Sequence, residues 1–392
     1  MALHGERAAR VSADVDFPVE EVRADFPGVN CSTYLNSAAE SLFLGSHRDA
    51  LVRYAGCKEA GSLGRAECAA IEARCRQLVA QLLSVAPGDV AFVASTARAL
   101  DAAVKSVEFR PGDNIVIGDS EFPTSAFAGA HLARTGVECR VAPSRDGELA
   151  LDDLERLIDE RTRLVVVSLV SYRTGFLVDQ SELERLAHAR GALLFIDAIQ
   201  AFGALPVTAG SADFVAAGTY KWQLGAHGLA FFYVNPGILH ELRPPYVGYR
   251  GVVDLFPPDR FERYELLPDA RRFEEGMPNY PAMFVLENGL SYLMRTGITA
   301  AAEHRARLVA RVMAGLDELG VCPLTTRNPH ARGPIVSFET ARPAALVEAL
   351  ARQGVHVWGR DGRLRVSPSL YNTLDEVELF LEVLAELPMK LQ

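Results

Sequence analysis

The sequence predicts an α/β fold, with a mostly parallel, doubly wound, seven-stranded sheet in a large domain and a smaller α+β module at the C-terminal end. Seven short apolar runs rich in strand-forming residues are the first observation, because strands buried on both faces have this composition. Helical stretches such as 151–160 and 181–190 separate several of these runs, and this alternation is typical of a parallel sheet. The predicted strands are Val90–Ala94, Asn114–Gly118, Glu138–Ala142, Leu164–Leu169, Leu193–Asp197, Asp213–Ala217 and Gly228–Val234.

The domain organisation follows from changes in composition along the 392 residues. Around 235–280, proline and aromatic residues become frequent and the regular period is lost, which indicates a crossing segment made of loops. Beyond it, helical patterns are followed by short strands and further helices. We therefore predict an N-terminal arm over 1–30, a large domain over 31–280 and a small domain over 281–392.

Composition excludes several classes of protein. The net charge of −10 argues against a nucleic-acid partner, because phosphate binding requires a basic surface. No stretch approaches the roughly 18 apolar residues of a membrane span, and the first twenty residues contain no secretory signal. The six cysteines form no CxxC pair and no metal-ligand spacing, so we expect reduced thiols, no bound metal and a cytoplasmic protein.

Two strand ends carry the most informative residues. Lys221, one of only four lysines, follows the run DFVAAGTY, and Asp197 ends the run ALLFID. Ligands of open α/β sheets bind beyond the carboxyl ends of the strands. An amine and a carboxylate delivered there suit pyridoxal phosphate, because the amine forms a Schiff base with the aldehyde and the carboxylate pairs with the pyridinium nitrogen. A capping aspartate and a solvated lysine are the alternative explanation.

Other predicted strand ends carry polar or aromatic residues. Thr96 and Ala97 open a helical stretch after the first strand, and free amides at a helix N-terminus bind phosphate. Ordinary N-capping explains the same residues equally well. Phe122 follows the second strand, where core packing is the simpler explanation, and Gln200 follows Asp197 closely.

With these residues the chain resembles the class V aminotransferase family of fold-type I pyridoxal-phosphate enzymes, which includes cysteine desulfurases, isopenicillin-N epimerase-like enzymes and kynureninases. The resemblance covers about 30–385. The matching segments are YLNSAAE, EFPTSAF, VSYRTGF, FIDAIQAFGALPV, DFVAAGTYKW, RFEEGMPNYP and RLRVSPSLYNT.

The resemblance implies a role for each matching residue. Lys221 becomes the Schiff-base lysine and Asp197 the partner of the pyridinium nitrogen. The other implied cofactor contacts are Gln200 at the phenolic oxygen, Phe122 stacked on the ring, Thr96, Ala97 and Tyr220 at the phosphate, and Gly276 and Asn279 reaching the phosphate of a neighbouring subunit in a homodimer.

The resemblance also implies a substrate site. Arg365 would bind the α-carboxylate of an amino acid, since a planar guanidinium binds a carboxylate bidentately. Its neighbour Arg363 is the alternative. Asn36 and Ala38, in YLNSAAE, complete the implied substrate contacts.

The chain departs from the desulfurase pattern upstream of Arg365. The stretch ARQGVHVWGRDGRLR contains no cysteine to accept sulfur, and Cys322 lies too far away. Phe122 stands where desulfurases carry histidine, so Lys221 becomes the main candidate for moving protons at Cα. We therefore favour a β-eliminating C–S lyase acting on a cysteine-derived substrate. An epimerase, an aminotransferase and a catalytically silent binding protein with the same fold are the alternatives.

Overall fold

A computed structural model describes residues 17–387 of the chain, and everything below refers to those residues. The first sixteen residues of the predicted N-terminal arm lie outside this range. Within it, no helix is both long enough and apolar enough to cross a membrane.

The strands of the described residues are numbered in chain order. They are β1 (Thr33–Tyr34), β2 (Val90–Val93), β3 (Asn114–Gly118), β4 (Glu138–Ala142), β5 (Ser144–Arg145), β6 (Glu148–Leu149), β7 (Thr162–Ser168), β8 (Leu193–Asp197), β9 (Phe214–Gly218), β10 (Ala230–Val234), β11 (Val336–Glu339), β12 (Val355–His356), β13 (Trp358–Arg360) and β14 (Arg363–Val366).

The α-helices are numbered in the same way. They are α1 (Val19–Ala24), α2 (His47–Glu59), α3 (Arg65–Leu83), α4 (Thr96–Ser106), α5 (Pro123–Ala133), α6 (Leu151–Leu157), α7 (Gln180–His188), α8 (Tyr280–Thr296), α9 (Ile298–Glu318), α10 (Pro343–Arg352) and α11 (Leu374–Glu386).

The large sheet confirms the predicted fold class. Its seven strands lie in the order β2-β10-β9-β8-β7-β3-β4, and only β10 runs antiparallel to its neighbours. All seven predicted strands are present: β3, β4 and β8 have the predicted ends, and the other four differ by one or two residues at one end or both. For example, β10 begins at Ala230 rather than Gly228, because Gly228 has a φ of +77°, which lies outside the extended region.

The sheet is covered on both faces, as its continuous apolar strands predict. Along β7, Val165 belongs to the core shared with α3 and α7, whereas Val166 belongs to the core shared with α4. Successive side chains of a strand point to opposite faces, so both faces must be buried. Each fully buried valine or leucine contributes roughly 1.5–3 kcal/mol. This two-sided burial fixes the strand register and therefore aligns the strand ends.

A second sheet lies in the C-terminal part of the chain. Here β11, β14 and β13 form an antiparallel sheet, and α9, α10 and α11 pack against it around Leu308, Leu346 and Phe380. Strand β1 pairs with β12, which brings the segment beginning at Thr33 against this sheet. Helix α8, in contrast, packs on α2 and α3. The domain boundaries at 30 and 280 stay a prediction.

One buried histidine supports the loop that follows Lys221. His47 Nε2 donates to the carbonyl oxygen of Leu224 at 2.7 Å, and its Nδ1 accepts from Asn288 at 2.8 Å. Leu224 has a φ of +57°, which a leucine rarely adopts, so its conformation depends on such contacts. Burial lowers the pKa of His47 to about 4, against the opposing effect of its bond to Leu224.

We predict that His47 makes the fold acid-sensitive. Its pKa is lower in the folded chain than the ordinary 6.5, so the unfolded chain binds the proton first. The stabilisation is complete above pH 6.5 and falls as the pH drops to about 4, by roughly 3 kcal/mol in all. Urea unfolding across this range should show the loss in the wild type and a flatter profile in His47→Gln. His240→Gln, at an exposed site, is the control and should keep the wild-type profile. Equal profiles for the wild type and His47→Gln would contradict the assignment.

Candidate active site

A cavity of about 290 Å³ lies beyond the carboxyl ends of β2, β7, β8 and β9. The strands are parallel to one another, and β10 reaches them from the opposite direction, so these four ends meet at one edge of the sheet. The side chains and backbone that line the cavity belong to Ala94, Ser95, Thr96, Ala97, Leu100, Phe122, Thr124, Ser125, Ser168, Tyr172, Asp197, Ile199, Gln200, Gly218, Tyr220, Lys221, His227, Gly228 and Leu229.

Lys221 is held by a compact turn after β9. The hydroxyl of Thr219 donates to the carbonyl oxygens of Ala226 and Leu229, and the Thr219 carbonyl accepts from the N–H of Gly225. The side-chain amide of Gln223 donates to the Gly218 carbonyl at 3.0 Å. These bonds fold the chain back toward β10 directly after the lysine. Lys221 is consequently only 8% exposed, although it follows a strand end.

Asp197 and Lys221 are desolvated together. Burial raises the pKa of Asp197 to about 6, opposed by the Ile199 N–H that its carboxylate accepts at 2.9 Å and by the charge of Lys221. Burial lowers the pKa of Lys221 to about 8, and the positive charge of Arg365 lowers it further while Asp197 raises it. The amine therefore loses its proton near pH 8 rather than near 10.5, which favours a nucleophilic or basic lysine.

The N-terminus of α4 forms one wall of the cavity. Ser95 caps the helix by accepting from the N–H of Arg98 at 3.1 Å, so the backbone amides of Thr96 and Ala97 precede the first helical hydrogen bonds. The Thr96 hydroxyl accepts from the N–H of Gly218 at 2.8 Å, which ties this helix end to the strand that leads to Lys221. Free amides and the positive end of the helix dipole can hold a phosphate here.

Gln200 is fixed between the cavity and the N-terminal segment. Its amide nitrogen donates to the carbonyl oxygen of Ala38 at 3.0 Å, and its amide oxygen accepts from the indole N–H of Trp222 at 2.9 Å. A primary amide carries two N–H donors, so one remains for a ligand. Trp222, next to Lys221, thus orients Gln200 toward the cavity.

Aromatic rings border the site on two sides. Phe122 is 48% exposed and meets the ring of Tyr172 edge to face, with 5.3 Å between the ring centroids. On the other side Tyr220 stacks on His227 with centroids 4.5 Å apart. Because Phe122 is this exposed and lines the cavity, the core-packing explanation does not hold. A planar ligand between Phe122 and the sheet edge would bury the exposed phenyl ring.

Arg365 lies beside the cavity rather than in its wall. Its guanidinium donates to the carbonyl oxygen of Tyr172 at 3.1 Å, and the side chain is 3% exposed. Its charge acts on Lys221, as described above. Asn36 forms an isolated bridge with Ser367, and the Asn36 amide oxygen is buried without a hydrogen-bond partner among the described residues.

Gly276 and Asn279 line a second cavity, which shares Ala94, Gly228 and Leu229 with the first. The amide nitrogen of Asn279 donates to the carbonyl oxygen of His227 at 3.2 Å, and its amide oxygen caps α8. The structure thus places this segment next to the first cavity and not in it. Its contact with a neighbouring subunit's phosphate stays a prediction.

The sequence assigned no role to three residues of this region. Tyr172 bridges Phe122 and Arg365, Trp222 orients Gln200, and His227 stacks on Tyr220. Trp222 and His227 could have been suspected from their place between Lys221 and the next strand. The contact between Tyr172 and Arg365 joins residues nearly two hundred positions apart in the chain, so no local sequence pattern predicts it.

Comparison with known proteins places the chain in a family. The family model described as aminotransferase class-V matches residues 34–380. A probable cysteine desulfurase of Pyrococcus abyssi is 29% identical over 399 residues, covering 95% of this chain and 98% of the relative. The chain belongs to the aminotransferase class-V family and is a pyridoxal-phosphate-dependent enzyme, as the resemblance predicted.

Solved structures share the fold. The apo structure of a cysteine desulfurase from Thermococcus onnurineus NA1 is 28% identical, with a TM-score of 0.87, and the match covers 95% of this chain and 98% of that one. The cystine C–S lyase C-DES, solved with its product cysteine persulfide, is 23% identical with a TM-score of 0.84 over 92% and 99% of the two chains. The fold is therefore that of fold-type I enzymes, as predicted.

The donors around the cavity fit pyridoxal phosphate. The desolvated amine of Lys221 suits the aldehyde, the buried carboxylate of Asp197 suits the pyridinium nitrogen, and the start of α4 suits the phosphate. Each donor thus has a chemical counterpart in the cofactor.

We predict that Arg365 tunes the reactivity of Lys221. In the apoprotein the lysine must be neutral to react, so the rate of pyridoxal phosphate capture should rise with pH to a midpoint near 8. Arg365→Gln removes a positive charge that lowers the pKa of Lys221, so its midpoint should move to higher pH. The growth of the bound-cofactor absorbance in stopped flow measures both. Arg360→Gln, exposed on the same hairpin, should behave as the wild type. A wild-type midpoint near the ordinary 10.5 would contradict the prediction.

Proposed function

We propose that this protein is a β-eliminating lyase that cleaves the C–S bond of a cysteine-derived amino acid. In this proposal Lys221 and Asp197 are the catalytic residues. The residues that hold the cofactor are Thr96, Ala97, Phe122, Asp197, Gln200, Tyr220 and Lys221, with Gly276 and Asn279 from a neighbouring subunit.

Bound pyridoxal phosphate supplies an aldehyde that condenses with amines and a ring that accepts electrons from Cα. Arg365 binds the α-carboxylate and, with Asn36 and Ala38 nearby, orients the substrate. Lys221 accepts the α-proton, the electron pair of the Cα–H bond forms the Cα=Cβ bond, and the Cβ–S bond breaks with its electron pair on sulfur. Protonation of that sulfur gives a thiol, and hydrolysis of the remaining aminoacrylate gives pyruvate and ammonia.

Proton transfer is assigned to Lys221 by its surroundings. Phe122 lines the cavity and carries no titratable group. Asp197 is buried and engaged with the Ile199 N–H, so its part is to hold a positive charge. A lysine with a pKa of about 8 can accept and return a proton near neutral pH.

The distribution of cysteines is the observation that favours elimination. A desulfurase keeps the sulfur as a persulfide on its own cysteine, which therefore has to reach the substrate. None of the six cysteines, all within the described range, lines either of the two adjoining cavities. Cys57, Cys68 and Cys75 are buried in α2 and α3. The sulfur must then leave with the product, as in elimination.

The related proteins are compatible with this chemistry. The curated relative of Pyrococcus abyssi is named a probable cysteine desulfurase, and the structurally similar C-DES is a cystine C–S lyase. Both act on sulfur-containing amino acids by breaking a C–S bond. The likeness to C-DES concerns the fold, which accommodates both outcomes.

The products decide between the two reactions. We expect the holoenzyme to release pyruvate, ammonia and thiol in equal amounts from cysteine S-conjugates, detected by a coupled lactate dehydrogenase assay and a thiol reagent. Lys221→Ala should lose the reaction by at least about 10³-fold, since base and cofactor attachment are removed together. Lys105→Ala, on the exposed side of α4, is the control.

Three results would contradict the proposed elimination. Alanine with protein-bound persulfide would indicate a desulfurase. Exchange of the α-proton with loss of chirality and without thiol would indicate an epimerase. A requirement for a keto-acid acceptor would indicate an aminotransferase.

We also propose that the enzyme acts as a homodimer with the active site at the interface. The segment around 253–264 exposes Phe256, Phe261 and Tyr264 by 81%, 89% and 61%, and apolar surface of this kind is usually covered by a partner. Light scattering should give twice the 42.6 kDa of one chain, and the double variant Phe256→Ser/Phe261→Ser should shift toward one chain. A single-chain mass for the wild type at micromolar concentration would contradict the dimer.

A further inference from the structure

Strand β14 carries two arginines on one face. Arg363 and Arg365 alternate with Leu364 and Val366, which belong to the core of the C-terminal sheet. Because side chains of a strand alternate between faces, both guanidinium groups lie on the face opposite that core. Arg363 and Arg365 are only 1% and 3% exposed. Two like charges are therefore buried two residues apart.

The two guanidinium groups share one aromatic side chain. The Trp358 ring centroid lies 5.0 Å from the guanidinium carbon of Arg363 and 4.8 Å from that of Arg365. Arg363 also lies over Tyr172, 5.3 Å from its ring centroid. Tyr172 lines the cavity that contains Lys221, so these contacts place Arg363 directly behind the cavity wall, on the same side as Arg365.

Arg363 has no anionic partner among the described residues. All three of its guanidinium nitrogens are buried without a hydrogen bond, whereas Arg365 donates to the Tyr172 carbonyl. Glu339 faces Arg363 across the β11–β14 ladder but is exposed, and Asp361, whose carboxylate lies 3.7 Å from Arg360, acts on Arg363 only through its charge. A buried guanidinium without acceptors is costly, and an arriving anion would offset that cost.

In the proposed reaction Arg365 binds the α-carboxylate, so the three guanidinium nitrogens of Arg363 remain available for another anionic group. We propose that Arg363 binds a second anionic group, at the end of the substrate's side chain. The substrate class is then an S-substituted cysteine whose sulfur substituent ends in a carboxylate or a similar oxyanion. This inference rests on the proposed lyase function and adds to it the residue that selects the leaving group.

The test compares two ligands that differ in one charge. S-carboxymethyl-L-cysteine carries the second carboxylate, and S-carbamoylmethyl-L-cysteine replaces it with a neutral amide of nearly the same shape. Stopped-flow absorbance of the holoenzyme gives the dissociation constant of each ligand before turnover. We expect the wild type to bind the carboxymethyl ligand about 10- to 100-fold more tightly, the range of a charge-assisted hydrogen-bonded pair.

The variants assign this preference to one side chain. Arg363→Gln should bring the ratio of the two dissociation constants close to one while the amide ligand binds as in the wild type. Arg363→Lys, which keeps the charge but loses the planar fork, should retain part of the preference. Arg360→Gln, 79% exposed at the side chain on the same hairpin, should retain all of it.

Two results would overturn the inference. One is a wild type that binds both ligands equally. The other is an Arg363→Gln variant that keeps its cofactor absorbance and the full preference, even if its melting temperature falls, since Arg363 would then serve only the packing of Trp358 and Tyr172.

Release of pyruvate is measured separately from ligand binding, so the two proposals can fail independently. A preference for the carboxymethyl ligand without release of pyruvate would support the binding of a second anion by Arg363 and refute the lyase. Equal binding of the two ligands with release of pyruvate from both would refute the role of Arg363 and support the lyase.

Discussion

The burial of Lys221 beside Asp197 and Arg365 is the constraint on which the site depends. A lysine in water would be protonated and unreactive at neutral pH, whereas desolvation and the charge of Arg365 bring its pKa to about 8. The carboxylate of Asp197 offsets part of the cost of this burial, and hydrogen bonds hold the lysine in place. The Thr219 bonds, the Gln223 bond and the His47 bond to Leu224 all fix the turn that carries the lysine.

Hydrogen bonds also connect distant parts of the chain to the site. The N-terminal segment reaches the cavity through the bond between Gln200 and the Ala38 carbonyl, and it meets the C-terminal part through the Ala38 N–H and Ser367. Strand β14 reaches the cavity through Arg365 and the Tyr172 carbonyl. The side of the cavity near Arg365 is thus built where the large sheet, the N-terminal segment and the C-terminal sheet meet. A shift in any one of them would change the position of Arg365 relative to Lys221.

The sequence predicted the sheet and the cofactor side of the cavity well, for a physical reason. Strands buried on both faces must be apolar and continuous, so the sequence predicts both ends of β3 and β8 to the residue. The ends of β4 also match, although this edge strand is largely exposed. Asp197 and Lys221 follow directly from their strands, so a strand prediction places them in space. The family resemblance then supplied roles for Thr96, Gln200 and Arg365, which remain proposals although the structure brings the first two into the cavity wall and the third beside it.

Long-range contacts could not be predicted in this way. The sequence indicates Arg363 only as an alternative to Arg365, because it does not reveal that both arginines stack on Trp358 or that Tyr172 connects them to the cavity. The shortened β10 depends on the backbone conformation of Gly228, which composition does not report. Side-chain partners distant in the chain and left-handed backbone positions are the two features that required coordinates.

We expect the cofactor to be attached to Lys221, and because the chain has only four lysines, this attachment can be measured directly. The holoenzyme is reduced with borohydride, which makes the bond between lysine and pyridoxal phosphate permanent, and is then digested and mapped by mass spectrometry. We expect the added mass on the peptide that contains Lys221 and on no other lysine. Modification of Lys58, Lys105 or Lys390 in its place, or no modification at all, would contradict the assignment of the site.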